Sequence, residues 1–147
     1  MLSSIQIHHF IAQLSNRVNK LEQMAFSAGF EENLSPSELN IIERIGLEGS
    51  EKMSNISSAL NITLATLTVA CDKLEAKGFV CRQRDEHDKR TVSITLTPKG
   101  IVAYNFHLSF LTSLIDVLNE GLSEAEIELL YQSIEKINRH FAALMEA

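Results

Sequence analysis

A mainly α fold of the α+β class, about six helices with one two-stranded β hairpin, is what this sequence predicts. Three observations carry the prediction. Apolar residues recur at alternating steps of three and four near both ends of the chain. Serine or threonine followed closely by proline or glutamate marks several helix starts. Between Phe79 and Leu96 the period changes from helical to alternating, on either side of a charged turn.

The elements follow in order. Ile7, Ile11, Leu14, Val18, Leu21, Ala25 and Ala28 make one stripe and predict a first helix over 4–28. Ser35-Pro36-Ser37-Glu38 supplies an N-cap serine, a proline at the first helical position and a glutamate at N3, just before Leu39, Ile42 and Ile45. A second helix starts there and stops near Gly46 or Gly49. Ser54 to Leu60 reads as a short third helix and Asn61-Ile62 as a tight turn. Thr63 caps a fourth helix whose inward face is Leu67, Cys71 and Leu74, with Ala70 alongside. Two helices joined this way make a helix-turn-helix.

The fourth helix stops at Gly78. Phe79 to Arg84 and the alternating Val92, Ile94 and Leu96 read as paired strands, joined by Arg84-Asp85-Glu86-His87-Asp88-Lys89-Arg90, with Arg82 and Arg84 on one face. Thr97-Pro98 opens a fifth helix running to about Asn119, and Ser123-Glu124-Ala125-Glu126 is a second capping box. Ile127, Leu130, Ile134, Ile137, Phe141 and Leu144 then form another seam. Seams at both ends predict that 1–34 and 100–147 are dimerisation helices meeting across a two-fold axis. Residues 35–99 would be a winged helix-turn-helix lobe within the same single domain.

A chain of 147 residues with 45% hydrophobic content can bury one core. Its longest apolar runs fall short of the roughly 20 residues of a membrane helix, and no basic segment followed by an apolar block opens it. The expectation is a cytoplasmic protein with no membrane partner. Cys71 and Cys81 lack CxxC spacing and are expected to be reduced.

A net charge of −6 argues at first against nucleic acid. Its distribution reverses the argument. Residues 52–99 hold 8 of the 13 basic side chains against 5 acidic ones, and both flanks are acidic. The middle of the chain is therefore the DNA-facing part. On the fourth helix the outward positions are Thr63, Leu64, Ala65, Thr66, Thr68 and Val69, with Lys73 a turn later; on the hairpin they are Arg82, Arg84, Asp88, Lys89 and Arg90. With no arginine near the helix start, bidentate reading of guanine is lost to this face. Hydroxyl contacts and thymine methyl contacts remain. They predict an AT-rich palindrome with half-sites about one helical turn apart, read partly through shape.

Other chemistry is thin. His8, His9, His87, His107 and His140 show no metal-ligand spacing, and His107 and His140 are expected in capping or surface roles. No nucleophile or acid-base arrangement stands out, so neither a cofactor nor an enzymatic reaction is expected. Phe10, Met24, Phe26, Phe30, Phe106 and Phe110 could line a site for a small apolar ligand, or serve as ordinary core. Two alternatives stay open: a redox switch at Cys71 or Cys81, and a winged helix whose Arg82, Arg84, Lys89 and Arg90 meet an acidic protein.

Leu60 to Thr68, then Leu74-Glu75-Ala76-Lys77-Gly78-Phe79-Val80, then Asp88-Lys89-Arg90 with Leu96-Thr97-Pro98-Lys99-Gly100, resemble the MarR family of bacterial transcription regulators. The helix order extends the resemblance over essentially the whole chain. It implies a dimer built on the terminal helices, a fourth helix in the major groove, and a wing in the minor groove. Arg90 resembles the wing arginine of the family, and Asp88 the carboxylate that holds it in place. The threonine pattern Thr63-Leu64-Ala65-Thr66-Leu67-Thr68 resembles the branch that represses fatty-acid biosynthesis in Gram-positive bacteria. That branch implies acyl groups on acyl carrier protein as corepressor.

Overall fold

The computed structural model of the protein describes residues 3–84, 86–88 and 90–146. Capping chemistry starts the helices. Ser3 opens α1 (Ser4–Gly29) in a capping box with Gln6, and Ser35 opens α2 (Pro36–Ile45) in a box with Glu38. Gly46, at φ +68°, ends α2 in a conformation that suits glycine. A two-residue strand β1 (Glu51–Lys52) leads into α3 (Met53–Ala59). Asn61, at φ +53°, makes the turn to α4 (Leu64–Ala76), whose first amides are capped by Thr63. Gly78, at φ +82°, closes α4: the Phe79 amide donates to the Leu74 carbonyl and the Gly78 amide to that of Glu75.

The hairpin β2 (Val80–Arg84) and β3 (Val92–Leu96) follows, then α5 (Pro98–Gly121) and α6 (Glu124–Glu146), the last opened by the Ser123 and Glu126 box. The sheet order is β1-β3-β2, antiparallel throughout, with Arg82 opposite Ile94 and Arg84 opposite Val92. The two-stranded wing of the sequence reading therefore gains a third strand. Glu51 pairs with Ile94 and Lys52 with Ser93, a pairing too short for any alternation to announce.

The chain forms two compact units, Met1–Phe110 and Leu111–Ala147. Phe26 of α1 and Ala103 of α5 belong to the same buried core as Leu39, Ile42, Ile56, Leu67, Leu74, Phe79 and Ile94, so those helix segments fold with the lobe. In the second unit the α6 side chains stay open: Leu130, Ile134, Ile137, Phe141 and Leu144 are all exposed.

Two further expectations are corrected. His107 is buried at 3% exposure, not at the surface. Its Nδ1 meets Glu22 of α1 and its Nε2 lies 3.0 Å from Glu43 of α2, so its polarity is satisfied inside. His140 is exposed as expected. Second, α5 is long and apolar enough to cross a membrane by length and composition. Charges are sparse along it, at Lys99, Asp116 and Glu120, and the uncharged polar residues between them do not break the apolar average. Gly100, Ala103 and His107 of α5 are buried, while most of its apolar window is exposed in the single chain.

Candidate nucleic-acid interface

The helix-turn-helix sets α4 by its inward face. Leu67, Cys71 and Leu74 are fully buried, which turns Thr63, Leu64, Ala65, Thr66, Thr68, Val69 and Lys73 outward as predicted. Three of the hydroxyls are already engaged, and two of their protons are spent. Thr63 Oγ1 accepts from the Thr66 amide and shares a 2.8 Å hydrogen bond with Thr66 Oγ1, while Thr68 Oγ1 donates to the Leu64 carbonyl. One hydroxyl proton of the Thr63 and Thr66 pair is left to donate outward. The face is otherwise methyl groups and the half-exposed side chains of Leu64 and Val69.

The two wing arginines part company. Arg84 is exposed. Arg82 is turned back onto α4: Nη1 donates to Asp72 at 2.5 Å and to Glu75 at 3.3 Å, and Nη2 donates to the Thr68 carbonyl at 2.9 Å. Its backbone amide also donates to Glu75. The strand alternation put Arg82 and Arg84 on one face, but at Arg82 that face meets the acidic side of α4. Arg82 thus locks the wing to α4.

At the wing tip Asp88 fixes a tight turn. Its carbonyl accepts from the Thr91 amide, and its carboxylate accepts from the Arg90 amide at 3.0 Å and from Thr91 Oγ1 at 3.2 Å. Asp88 thereby fixes the backbone of the turn at Arg90. Lys89, the remaining wing candidate, lies outside the described residues. Arg90 and Arg82, with Lys52, Leu64, Thr68 and Val92, line an open cleft of about 460 Å³ between wing and α4. Lys52 was missed in the sequence because nothing marks β1; it reaches this cleft by pairing with Ser93.

Thr97 joins the wing to α5. Its amide donates to the Phe79 carbonyl, Oγ1 donates to the Gly78 carbonyl at 2.6 Å, and Oγ1 accepts from the Gly100 amide. Below, Lys77 donates to both carboxylate oxygens of Glu38 and to the Asn33 carbonyl, clamping the end of α4 to the start of α2. Burial tends to raise the Glu38 pKa, but the Ser35 amide and Lys77 outweigh it and hold the carboxyl below its usual range.

The six apolar ligand candidates are not brought together. Phe26, Phe30 and Phe106 form an aromatic cluster, Phe26 stacked on Phe30 at 4.0 Å and both edge-on to Phe106, with Phe79 beside Phe30. Phe10 and Met24 point outward at 65% and 62% exposure, and Phe110 is half-buried. Cys71 is buried, and burial pushes its thiol pKa up, away from the reactive thiolate; Cys81 is exposed. Among the described residues no cluster of three or more His, Cys, Asp or Glu could hold a metal ion.

Residues 34–92 match the profile of the MarR family. The chain is 37% identical over 70 residues to YkoM, an HTH-type transcriptional regulator of Bacillus subtilis (strain 168); the match spans about half of each, 48% of this chain and 46% of YkoM. It is 31% identical to the HTH-type transcriptional regulator PecS of Dickeya dadantii (strain 3937), over 88% of this chain and 74% of PecS. Among solved structures it is similar to Streptococcus pneumoniae FabT in complex with DNA, with a TM-score of 0.87 and 27% identity over 97% of this chain and 99% of that one.

Proposed function

The chain belongs to the MarR family of DNA-binding transcription regulators, and from that premise we propose that it is a homodimeric, cytoplasmic repressor that occludes an AT-rich palindromic operator. The observation that carries the proposal is the pairing of two features on one open face. The outward residues of α4 stand beside a wing whose turn backbone at Arg90 is held by Asp88. Arg82 holds the spacing between them. In this reading α4 enters the major groove, while Arg84, Lys89 and Arg90 meet phosphates and the narrow, strongly negative minor groove. The methyl-rich α4 face, with two of its three threonine hydroxyl protons spent internally, favours thymine over guanine. The similarity to a FabT–DNA complex supports the same docking.

The dimer reading rests on apolar faces that are left open within the single chain. On α1 these are Ile7, Ile11, Leu14 and Leu21; on α6 they are Leu130, Ile134, Ile137, Phe141 and Leu144. Apolar surface of this extent and heptad-like spacing suits helix packing against a second copy. A bound ligand would act by favouring one spacing of the two α4 helices over another. The threonine pattern of α4 supports an acyl group on acyl carrier protein as that ligand, acting as corepressor.

Selection from randomised duplexes, followed by titration of the winning site, tests the DNA reading. An AT-rich palindrome bound by one dimer is expected, and a GC-rich core or an absence of binding would overturn it. Native mass spectrometry of protein purified from its own host tests the ligand. A retained acyl chain, with tighter operator binding when acyl carrier protein bearing that chain is added, is expected; operator binding that acyl carrier protein leaves unchanged removes it.

A further inference from the structure

His107 is the buried group that the DNA reading leaves unused. It sits on α5 at 3% exposure, between a carboxylate of α1 and a carboxylate of α2. Glu22 is itself buried, at 6% side-chain exposure, whereas the Glu43 side chain is 45% exposed. Arg44, which follows Glu43 on α2, pairs with Glu51, and Lys99 of α5 pairs with Glu32. Among the described residues, Glu22 from α1 and Glu43 from α2 are the charged groups in contact with the ring.

Hydrogen-bond valence decides what this array can do. A neutral imidazole donates at one nitrogen and offers a lone pair at the other, while the protonated ring donates at both. Both nitrogens here face carboxylate oxygens, which only accept. The protonated ring satisfies Glu22 and Glu43 together. Loss of one proton to solvent leaves a lone pair facing a carboxylate. Glu22 has no water to turn to, so the remaining N–H stays with it, and the half-exposed Glu43 is the partner that can move out into solvent.

We propose that Glu22, His107 and Glu43 form a proton-operated tie between α1, α5 and α2, closed when the ring carries its proton and opened on the α2 side when it does not. Rising pH then frees α2, and the lobe built on it, from α5. The lobe loses preorganisation and operator affinity falls. The inference rests on the operator-binding reading, since operator affinity is what it modulates.

The test is an operator titration from about pH 6 to pH 8.5 at constant ionic strength. Wild type is expected to lose affinity about tenfold over that range, the scale of one charge-assisted hydrogen bond. In Glu22→Gln and Glu43→Gln the new amide can donate to a neutral ring, so both bonds survive deprotonation; each variant is expected to give a flat profile. Glu43→Gln is the safer variant because its site is half-exposed, and an unchanged melting temperature and dimer mass shows that it folds. His87 lies on the wing, and His87→Gln is expected to keep the wild-type slope. Wild-type slopes in both glutamine variants, a flat wild-type profile, or a slope abolished by His87→Gln would overturn the tie. Failure to bind any operator at pH 6 would instead overturn the functional reading beneath it.

Discussion

Replacing Gly100 by alanine should destabilise the lobe severely, and the structure says by how much. A Cβ at this position would stand 2.0 Å from the Phe79 carbonyl oxygen, 3.1 Å from its carbon and 3.2 Å from Leu96 Cβ. The first distance is about 1 Å inside what real contacts tolerate, and the obstacle is backbone. The same oxygen accepts the Thr97 amide, and Thr97 in turn caps Gly100, so the strand end and the α5 start cannot separate without breaking the joint. Overpacking of a rigid site costs about 1–3 kcal/mol or more, and the lost backbone hydrogen bond adds about 1. The better helix propensity of alanine returns at most about 1. A net loss of about 3 kcal/mol follows, or roughly 6–12 °C in melting temperature for a chain of this size. Thermal and urea unfolding followed by circular dichroism measure it. Gly121→Ala is the control: its Cβ would meet nothing within 4 Å, and stability should hold or rise slightly. A drop below about 2 °C for Gly100→Ala would refute the steric reading of the Leu96 to Gly100 motif.

Other outcomes follow from the same geometry. Arg82→Met should lower the urea midpoint by the equivalent of about 1 kcal/mol, because a partly exposed guanidinium bridging Asp72, Glu75 and the Thr68 carbonyl is lost; Arg84→Ala should change stability by less than about 0.5. Glu38 has a folded pKa below its unfolded value of about 4.3, so its contribution is present above that value and lost as pH falls through the lower, folded one. Acid unfolding curves should therefore show a shallower decline in stability for Glu38→Gln than for wild type below about pH 4. A thiol probe should label Cys81 in the folded protein and leave Cys71 untouched until denaturant is added, which mass spectrometry resolves.

Local chemistry made most of the fold legible. Ser35, Thr63, Thr97 and Ser123 announce helix starts because capping is a near-neighbour interaction, and Gly78 announces a stop because its φ is positive. What stayed hidden depends on partners distant in sequence. Two-residue β1 has no period to detect, and its role is set by β3 some 40 residues later. Arg82 and Arg84 are equivalent by alternation and differ only because Asp72 and Glu75 lie under one of them. His107 reads as a polar surface residue until Glu22 and Glu43 are placed around it. The outward face of α4 was legible, since it is the complement of Leu67, Cys71 and Leu74. That its threonines spend hydroxyl protons on one another and on the Leu64 carbonyl was not.

The central claim is that wing cations of a dimer engage duplex DNA beside a weakly reading α4. Operator affinity measured at about 50 and 200 mM salt, for wild type and for Arg90→Ala, tests it most directly. Several phosphate contacts per dimer predict at least about a hundredfold loss of wild-type affinity across that range. Arg90→Ala should bind at least about tenfold more weakly at low salt, with a shallower salt slope and the same dimer mass. Binding that ignores salt, or an Arg90→Ala dimer that binds like wild type, would contradict the account.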